Sequence, residues 1–483
     1  MMSRRSGTAA LLASALALVC AAAAAGAQDA PPPAAFYVAP ETSTAAAGIA
    51  VGPDGALHAV ATSYIDDGPD AVTYSTCRTD CANPANWTRV DIPVPGAVRA
   101  EIAVTPWGAP RLLITTDGSG GDASRNYLFA ECGTRPAGNW GGAGASAACL
   151  DPAGWRMGVV AGSEDSLLST FLEYQMPHRS FALDDAGNPR FIYSDSNYFI
   201  EPDHYGAFYM SCESDCTLRA NWIETDIALH AGYSTEYFND PVLALGPGGS
   251  AHVISWVYAF NPDGSEAPDD LYYYECRSDC TDRANWGRAS VLNPGSGSYP
   301  SPTWDIAVTS TGEPRIALFV GAGPDQADLE HSLVYLWCET NCLVDNSWSG
   351  NVVFSEGYGE APALALDAQD RPRIAFLSPG AEPVYAACDE TCDSDAAVWR
   401  GTVFEAGGDM AANRPVALPF TCDAELWNAM TPDLAVGPRG DAYLAYDVDV
   451  QARCLYREFQ RPEITYEFHE IWRGVRLAFM PPS

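Results

Sequence analysis

Lysine is missing from all 483 residues, and every one of the 26 basic side chains is arginine. The absence excludes a Walker-type phosphate loop, a kinase-type active site and any lysine Schiff base. Histidine is scarce, with seven copies. His469-Glu470 has no second histidine at zincin spacing, and no G-x-S-x-G nucleophile elbow occurs. The Gly-rich run from Asp117 to Asp122 has no lysine to hold a phosphate and reads as an acidic loop. Beyond the N-terminus no apolar stretch is long enough to span a bilayer, so the mature chain is not expected to be transmembrane. Helix-period patterning is nearly absent too, with Ser166 to Gln175 as its one candidate.

What the chain has in excess is negative charge: 62 acidic residues give a formal net charge of −36. Such a surface repels nucleic acid and anionic membranes and favours solvation or cationic partners. The N-terminus reads as a secretory signal over residues 1–27. Arg4 and Arg5 form its positive region, Ala9 to Val19 its apolar region, and Ala25-Gly26-Ala27 a cleavage site before Gln28. A secreted or periplasmic chain is expected. Cys20 raises a lipoprotein alternative, but Val19 stands where such signals carry a small residue.

One element recurs seven times: an apolar-Ala-apolar strand, a tight turn and a second strand. Its alanines are Ala50, Ala103, Ala182, Ala244, Ala307, Ala365 and Ala435. Gly55, Gly108, Gly187, Gly249, Gly312 and Gly440 supply the turns, and the sixth copy has Asp370-Arg371 instead. A second element follows each first one: an aromatic-rich strand, a cysteine pair and a Trp expected to open another strand. The Trp series is Trp87, Trp155, Trp222, Trp286, Trp348, Trp399 and Trp472. Two hairpins per unit and seven units predict an all-β fold: a seven-bladed β-propeller of four-stranded antiparallel blades, one domain over residues 28–483. A linear solenoid would use much shorter repeats.

The cysteines left after signal removal pair evenly, as expected of a disulfide framework in an exported chain. Five pairs are C-x-x-x-C: Cys77/Cys81, Cys212/Cys216, Cys276/Cys280, Cys338/Cys342 and Cys388/Cys392. Cys132/Cys149 reads as the same pair with an insertion, and Cys422/Cys454 is left for the last blade, giving one disulfide per blade. Each is expected to pin the outer hairpin of its blade. Thiolate metal sites are disfavoured by the scarcity of histidine and by the compartment.

The stretches Ser214 to Trp222 and Ser278 to Trp286 resemble the Asp-box (BNR-type) hairpins of bacterial secreted propellers and sialidases, with a Cys inside the box where those carry a glycine. Phe181 to Arg190 is similar to the other hairpin of such repeats. The resemblance implies a shared blade architecture. A sialidase would also need an Arg-Ile-Pro segment and an arginine cluster. The segment is not found, and Arg111, Arg190, Arg315 and Arg373 recur at one hairpin position, as a structural device would.

Function is therefore sought in the long connections, since loops carry it. Tyr205, Tyr233, Glu236, Tyr237, Tyr299 and Trp304 are candidate ligand-binding residues, because an aromatic face stacks on a sugar ring while carboxylates accept its hydroxyls. Packing of these rings onto the blades is the structural alternative. Glu101, Asp305 and Asp433 each stand two residues before a repeat alanine, on equivalent sides of three inner strands. Converging carboxylates call for a counter-charge, and Ca²⁺ suits an oxygen-rich site. A solvated acidic rim is the alternative for them. The expected function is a non-catalytic binding propeller, monomeric, that recognises a glycan or an extracellular protein through its loop-rich face. The alternatives are a glycoside hydrolase or lyase using carboxylates at the channel mouth, and a structural component of an envelope or secreted assembly.

Overall fold

The computed structural model describes residues 34–39, 43–64, 71–116, 125–133, 147–163, 179–196, 205–227, 235–260, 263, 270–292, 303–320, 332–344, 347–355, 357, 359–412, 422–456 and 465–480. The proposed signal segment and the helix candidate Ser166 to Gln175 lie outside the described residues.

Seven four-stranded antiparallel sheets make the propeller. Blade one holds Ser43–Val51, Leu57–Tyr64, Ala71–Cys77 and Thr88–Pro93. Blade two holds Ala97–Val104, Pro110–Thr116, Arg125–Cys132 and Trp155–Ser163. Blade three holds Phe181–Leu183, Pro189–Ser196, Tyr205–Cys212 and Trp222–Asp226. Blade four holds Thr235–Leu245, Ala251–Phe260, Asp270–Cys276 and Trp286–Leu292. Blade five holds Thr303–Val308, Pro314–Val320, Ser332–Trp337 and Ser349–Phe354, and blade six Glu360–Leu366, Pro372–Leu377, Pro383–Cys388 and Trp399–Val403.

Blade seven departs from the expected order. Its first three strands are Cys422–Val436, Ala442–Tyr456 and Thr465–Met480, and its outer strand is Ala34–Tyr37 from the other end of the chain. Trp472 therefore opens no fourth strand; it lies inside the third, edge-on to Tyr37 at 5.1 Å. The strand Ala34–Tyr37 thus closes the ring.

Burial follows strand position. The second strand Pro110–Thr116 is buried throughout, whereas the outer strand Thr88–Pro93 is buried only at Val90 and Ile92. The hairpin turns are as expected: Gly187 has φ of +75°, and a Cβ there would meet the Trp107 ring at 2.7 Å. Asp370 takes the same left-handed conformation in the sixth copy, at φ 59°.

All seven expected cysteine pairs are disulfides: Cys77–Cys81, Cys132–Cys149, Cys212–Cys216, Cys276–Cys280, Cys338–Cys342, Cys388–Cys392 and Cys422–Cys454. They are not one equivalent staple per blade, and the expectation that each pins an outer hairpin is corrected here. In five of them the first Cys ends the third strand, and in blade five Cys338 directly follows that strand. The second Cys is not part of the sheet. Cys81, Cys149, Cys216, Cys280, Cys342 and Cys392 all lie in the connection between the third and outer strands. In five of these the two cysteines stand only 4 residues apart, too few to reach the next strand, and in Cys132–Cys149 they stand 17 apart; in each the bond folds the connection back onto the strand it leaves. The seventh, Cys422–Cys454, does join two strands, the first and second of blade seven.

The Trp that follows each loop cysteine completes the device. In blades one to four the carbonyl of the second Cys accepts the indole N–H: Trp87 to Cys81 at 2.9 Å, Trp155 to Cys149 at 3.1 Å, Trp222 to Cys216 at 2.6 Å and Trp286 to Cys280 at 2.9 Å. Blades five and six vary it. Cys342 is buried in the core against which Trp348 packs. Trp399 donates to the Asn351 side chain of the preceding blade at 2.9 Å, and Asn351 in turn donates to the Cys392 carbonyl at 3.1 Å. The rings pack edge-on against an aromatic of the preceding blade: Trp155 on Tyr74, Trp222 on Phe129, Trp348 on Tyr273 and Trp399 on Tyr335. The stretches that resemble Asp boxes sit here, in the outer hairpins.

The recurring arginines are structural. Arg111, Arg190 and Arg373 each donate through Nη1 to the carbonyl of the Cys ending the third strand, at 2.7, 2.8 and 2.7 Å. Arg190 and Arg373 also reach the Asp of their own turn, Asp184 at 2.7 Å and Asp367 at 2.9 Å. Blades one and four carry His58 and His252 at this position instead, hydrogen-bonded to Tyr74 and Tyr273.

Candidate functional site: the central channel and the loop face

The seven inner strands surround a channel of about 400 Å³ whose wall includes all the repeat alanines. Alanine suits this place because seven strand edges converge there and larger side chains would fill the space. Strand direction sets the two ends. The tight turns lie at one end; the long connections before each inner strand and after each second strand lie at the other, the loop face.

Glu101 and Asp433 line the channel, Asp305 is buried in its wall, and each links its blade to the next. Glu101 accepts the N–H groups of Ser180 at 2.7 Å and Phe181 at 2.9 Å, together with the Ser180 hydroxyl. Asp305 accepts Leu364 N–H at 2.6 Å, and Asp433 accepts Ile49 N–H at 2.8 Å. The physical need is clear. The inner strand of each blade has no further strand to pair with, so its outward N–H groups require acceptors.

The counter-charge that Asp305 and Asp433 meet is Arg179, which precedes the inner strand of blade three and lies at the loop-face end of the channel. Its guanidinium crosses to the far wall. It donates through Nε and Nη2 to Asp433 at 3.0 and 2.8 Å and through Nη1 to the Leu364 carbonyl at 2.7 Å, and it also reaches the Leu434 carbonyl. Asp305 stands 3.3 Å from Nη1. One side chain of blade three thus ties blades five, six and seven. The sequence reading missed it, since Arg179 belongs to no repeat series; its one signal was its place three residues before Ala182. A Ca²⁺ ion on these three carboxylates would have to displace Arg179 and the backbone donors. Among the described residues no group of three or more acidic, His or Cys side chains is arranged to hold a metal ion.

Burial raises the Asp305 carboxyl to about 6 against the pull of Arg179, with Asp433 nearby adding to the rise. Burial raises Glu101 likewise, opposed by Arg99 at 2.7 Å and by its Ser180 and Phe181 donors. For Arg179, burial alone would favour the neutral form, but Asp305 and Asp433 outweigh it and hold the proton more firmly than usual. A carboxyl with a raised pKa beside a second carboxylate is an acid–base arrangement in principle. Here the Asp305 side chain is fully buried, with its oxygens on backbone N–H groups, so no substrate reaches it.

The expected aromatic loop residues fare differently. Trp304 is buried at 3% exposure in the core between blades four and five, packed with Val242, Ile254 and Trp256, and presents no open ring. The structure gives it the packing role. Tyr205, Glu236 and Tyr237 have their backbones at loop-face strand ends. Tyr233 and Tyr299 lie outside the described residues.

The fold and its ring of inner strands define a seven-bladed β-propeller with its long connections on one face. No family model matches the chain, and no curated protein matches it. Several solved structures resemble it at low identity. The polysaccharide lyase Uly1 covers 91% of this chain and 90% of its own at 11% identity and a TM-score of 0.49. The GH93 α-L-arabinofuranosidase of Fusarium graminearum covers 72% and 93% at 12% identity and 0.44. A protein of unknown function from Dyadobacter fermentans DSM 18053 covers 93% and 99% at 8% identity and 0.41. The likeness is one of fold alone.

Proposed function

We propose that this chain is a secreted binding propeller that holds a glycan on its loop-rich face and performs no chemistry on it. One observation carries the reading: the charged groups that converge in the channel are engaged in joining blades. Glu101, Asp305, Asp433 and Arg179 each have partners across a blade boundary. That leaves recognition to the loop face, where the long connections gather. The disulfides fit an oxidising compartment. Among the described residues no helix is long and apolar enough to cross a membrane.

The second reading, a glycoside hydrolase or lyase, draws on the raised Asp305 beside Asp433. It is the weaker one because Asp305 is sealed in the wall. A glycan array and a broad panel of glycosidase and lyase substrates test both. Binding without turnover supports the proposal; turnover abolished by Asp433→Asn would overturn it. Calorimetric titration of chelator-treated protein with Ca²⁺ is expected to show no heat from the Glu101, Asp305 and Asp433 trio.

A further inference from the structure

We propose that the central channel holds a small neutral polyol, a single sugar ring or a cyclitol, against the inner strands of blades two and three. The site is separate from the loop-face glycan reading. Arg179 bars the loop-face end of the channel, so this ligand enters from the tight-turn end.

Strand geometry shows which backbone groups face this space. Thr105 N–H donates to the Ala109 carbonyl across the blade-two turn at 2.9 Å, and Asp184 N–H to the Asn188 carbonyl across the blade-three turn at 3.0 Å. Backbone groups in an antiparallel strand point alternately to its two sides. Counting back from Thr105 and Asp184, the N–H and C=O groups of Ile102, Val104, Phe181 and Leu183 turn away from the second strand. The inner strand is the edge of its sheet, so that direction is the axis of the ring. All four residues line the channel, and Ile102, Val104 and Leu183 are half-buried, open to it.

Around most of the ring the protein itself satisfies the N–H just before the repeat alanine. Ile49, Phe181 and Leu364 donate to a carboxylate of the preceding blade, Ile306 and Leu434 to that of their own, and Leu243 to the Arg179 carbonyl at 2.8 Å. Ile102 is left out. Gly48 of blade one carries no carboxylate at the matching position, and Glu101 is engaged by Ser180 and Phe181. Among the described residues Ile102, Val104 and Leu183 donate to no protein acceptor on the axis. On the opposite wall Arg179 takes the carbonyls of Leu364 and Leu434, whereas those of Ile102 and Phe181 meet no such donor.

Blades two and three thus offer three donors and several acceptors within one space of about 400 Å³, the size of a small-molecule site. A hydroxyl both donates and accepts, so neighbouring hydroxyls match N–H and C=O groups that alternate along a strand. Ala103 and Ala182, with their small side chains, leave room for a ring against the backbone. Glu101 on the same wall disfavours an anion, and Arg179 across the channel disfavours a cation.

The test is calorimetric titration of the purified chain with myo-inositol, xylose and glycerol, read together with amide hydrogen exchange. At least one of these probes is expected to bind and to slow exchange at Ile102, Val104 and Leu183. Val104→Pro removes a donor that belongs to no sheet ladder, a change an edge strand tolerates, and Ala182→Leu narrows the space. Each should weaken binding about ten-fold or more with the melting temperature held. Should either variant fail to fold, the exchange measurement on wild type decides. No heat with any probe would overturn the site, the channel then holding water alone. Binding that leaves the three amides and both variants unaffected would also overturn it, and would leave the loop-face reading standing. Binding of sulfate or tetramethylammonium in place of the polyols would overturn the neutral class and with it the proposal.

Discussion

Blades one to six and blade seven solve the same packing problem with different parts. The first six are each built from one contiguous stretch of chain, with a disulfide in the outer loop and a Trp set against it. Blade seven joins the two ends of the chain, and its holding device is electrostatic. Arg476, fully buried, pairs with Glu405 through Nε at 2.7 Å and through Nη2. Tyr446 donates its hydroxyl to the same carboxylate, and Tyr37 of the N-terminal strand lies against the guanidinium, 4.3 Å from ring centroid to Cζ. One cluster thus touches the N-terminal strand, the second and third strands and the segment leaving blade six. A repeat unit can use local covalent staples; a seam between distant segments needs groups that meet only after folding.

The comparison can be broken most severely at the seam. Glu405→Ala leaves Arg476 buried without its carboxylate and should cost about 3–5 kcal/mol. Trp222→Ala, the corresponding change in a contiguous blade, should cost about 3–5 kcal/mol by loss of packing. Urea unfolding measures both. The seam variant should in addition expose residues 34–37 to hydrogen exchange, which Trp222→Ala should not. Equal protection there in the two variants would refute the special role of the cluster.

The next effect separates blades one and four from the arginine blades. Burial lowers His58 and His252 to about 4 each, with Asp54 pulling His58 back in part. The unfolded chain titrates these groups near 6.5, so between the two values it binds more protons than the folded one. Their contribution is therefore intact above pH 6.5 and is lost as pH falls towards 4. The loss should be on the order of 2–3 kcal/mol per histidine. Asp305, raised to about 6, acts in the opposite sense over much of that range. Comparing wild type with a His58→Gln/His252→Gln double variant isolates the histidines, and the variant should show the shallower acid limb.

A smaller difference concerns the staples. Cys212–Cys216 has a sequence separation of 4 and Cys422–Cys454 one of 32. Chain entropy gives about 2 kcal/mol for the short ring and about 3.7 for the long one. Replacing both cysteines by Ala should accordingly lower the melting temperature more at Cys422/Cys454 than at Cys212/Cys216. The reverse order would mean that the C-x-x-x-C rings act through the Trp they hold rather than through chain entropy. Least affected should be the pair formed by the exposed Arg156 of blade two's outer strand with Glu131 of its third strand, where Arg156→Ala should change stability by less than about 1 kcal/mol.

Repetition is what made so much of this molecule legible in its sequence. Seven copies of apolar-Ala-apolar, of Gly turns and of Cys-Trp wording repeat a local rule, and local rules need only neighbouring residues: a turn needs its glycine, a short disulfide ring its two cysteines. The pairing of Cys81, Cys149, Cys342 and Cys392 was legible in this way; that they sit off the sheet, and that Trp399 reaches Asn351 rather than the Cys392 carbonyl, was not. The recurrence of Arg111, Arg190, Arg315 and Arg373 marked them as structural, and their hydrogen bonds agree. Even the convergence of Glu101, Asp305 and Asp433 followed from strand period. Tertiary structure alone decided what those carboxylates meet, because Arg179 reaches Asp433 across 254 positions of chain and belongs to no repeat. It likewise decided that Ala34–Tyr37 closes blade seven and that Trp304 is core. Each of these depends on which distant segments share a boundary, and that is settled only when the ring closes.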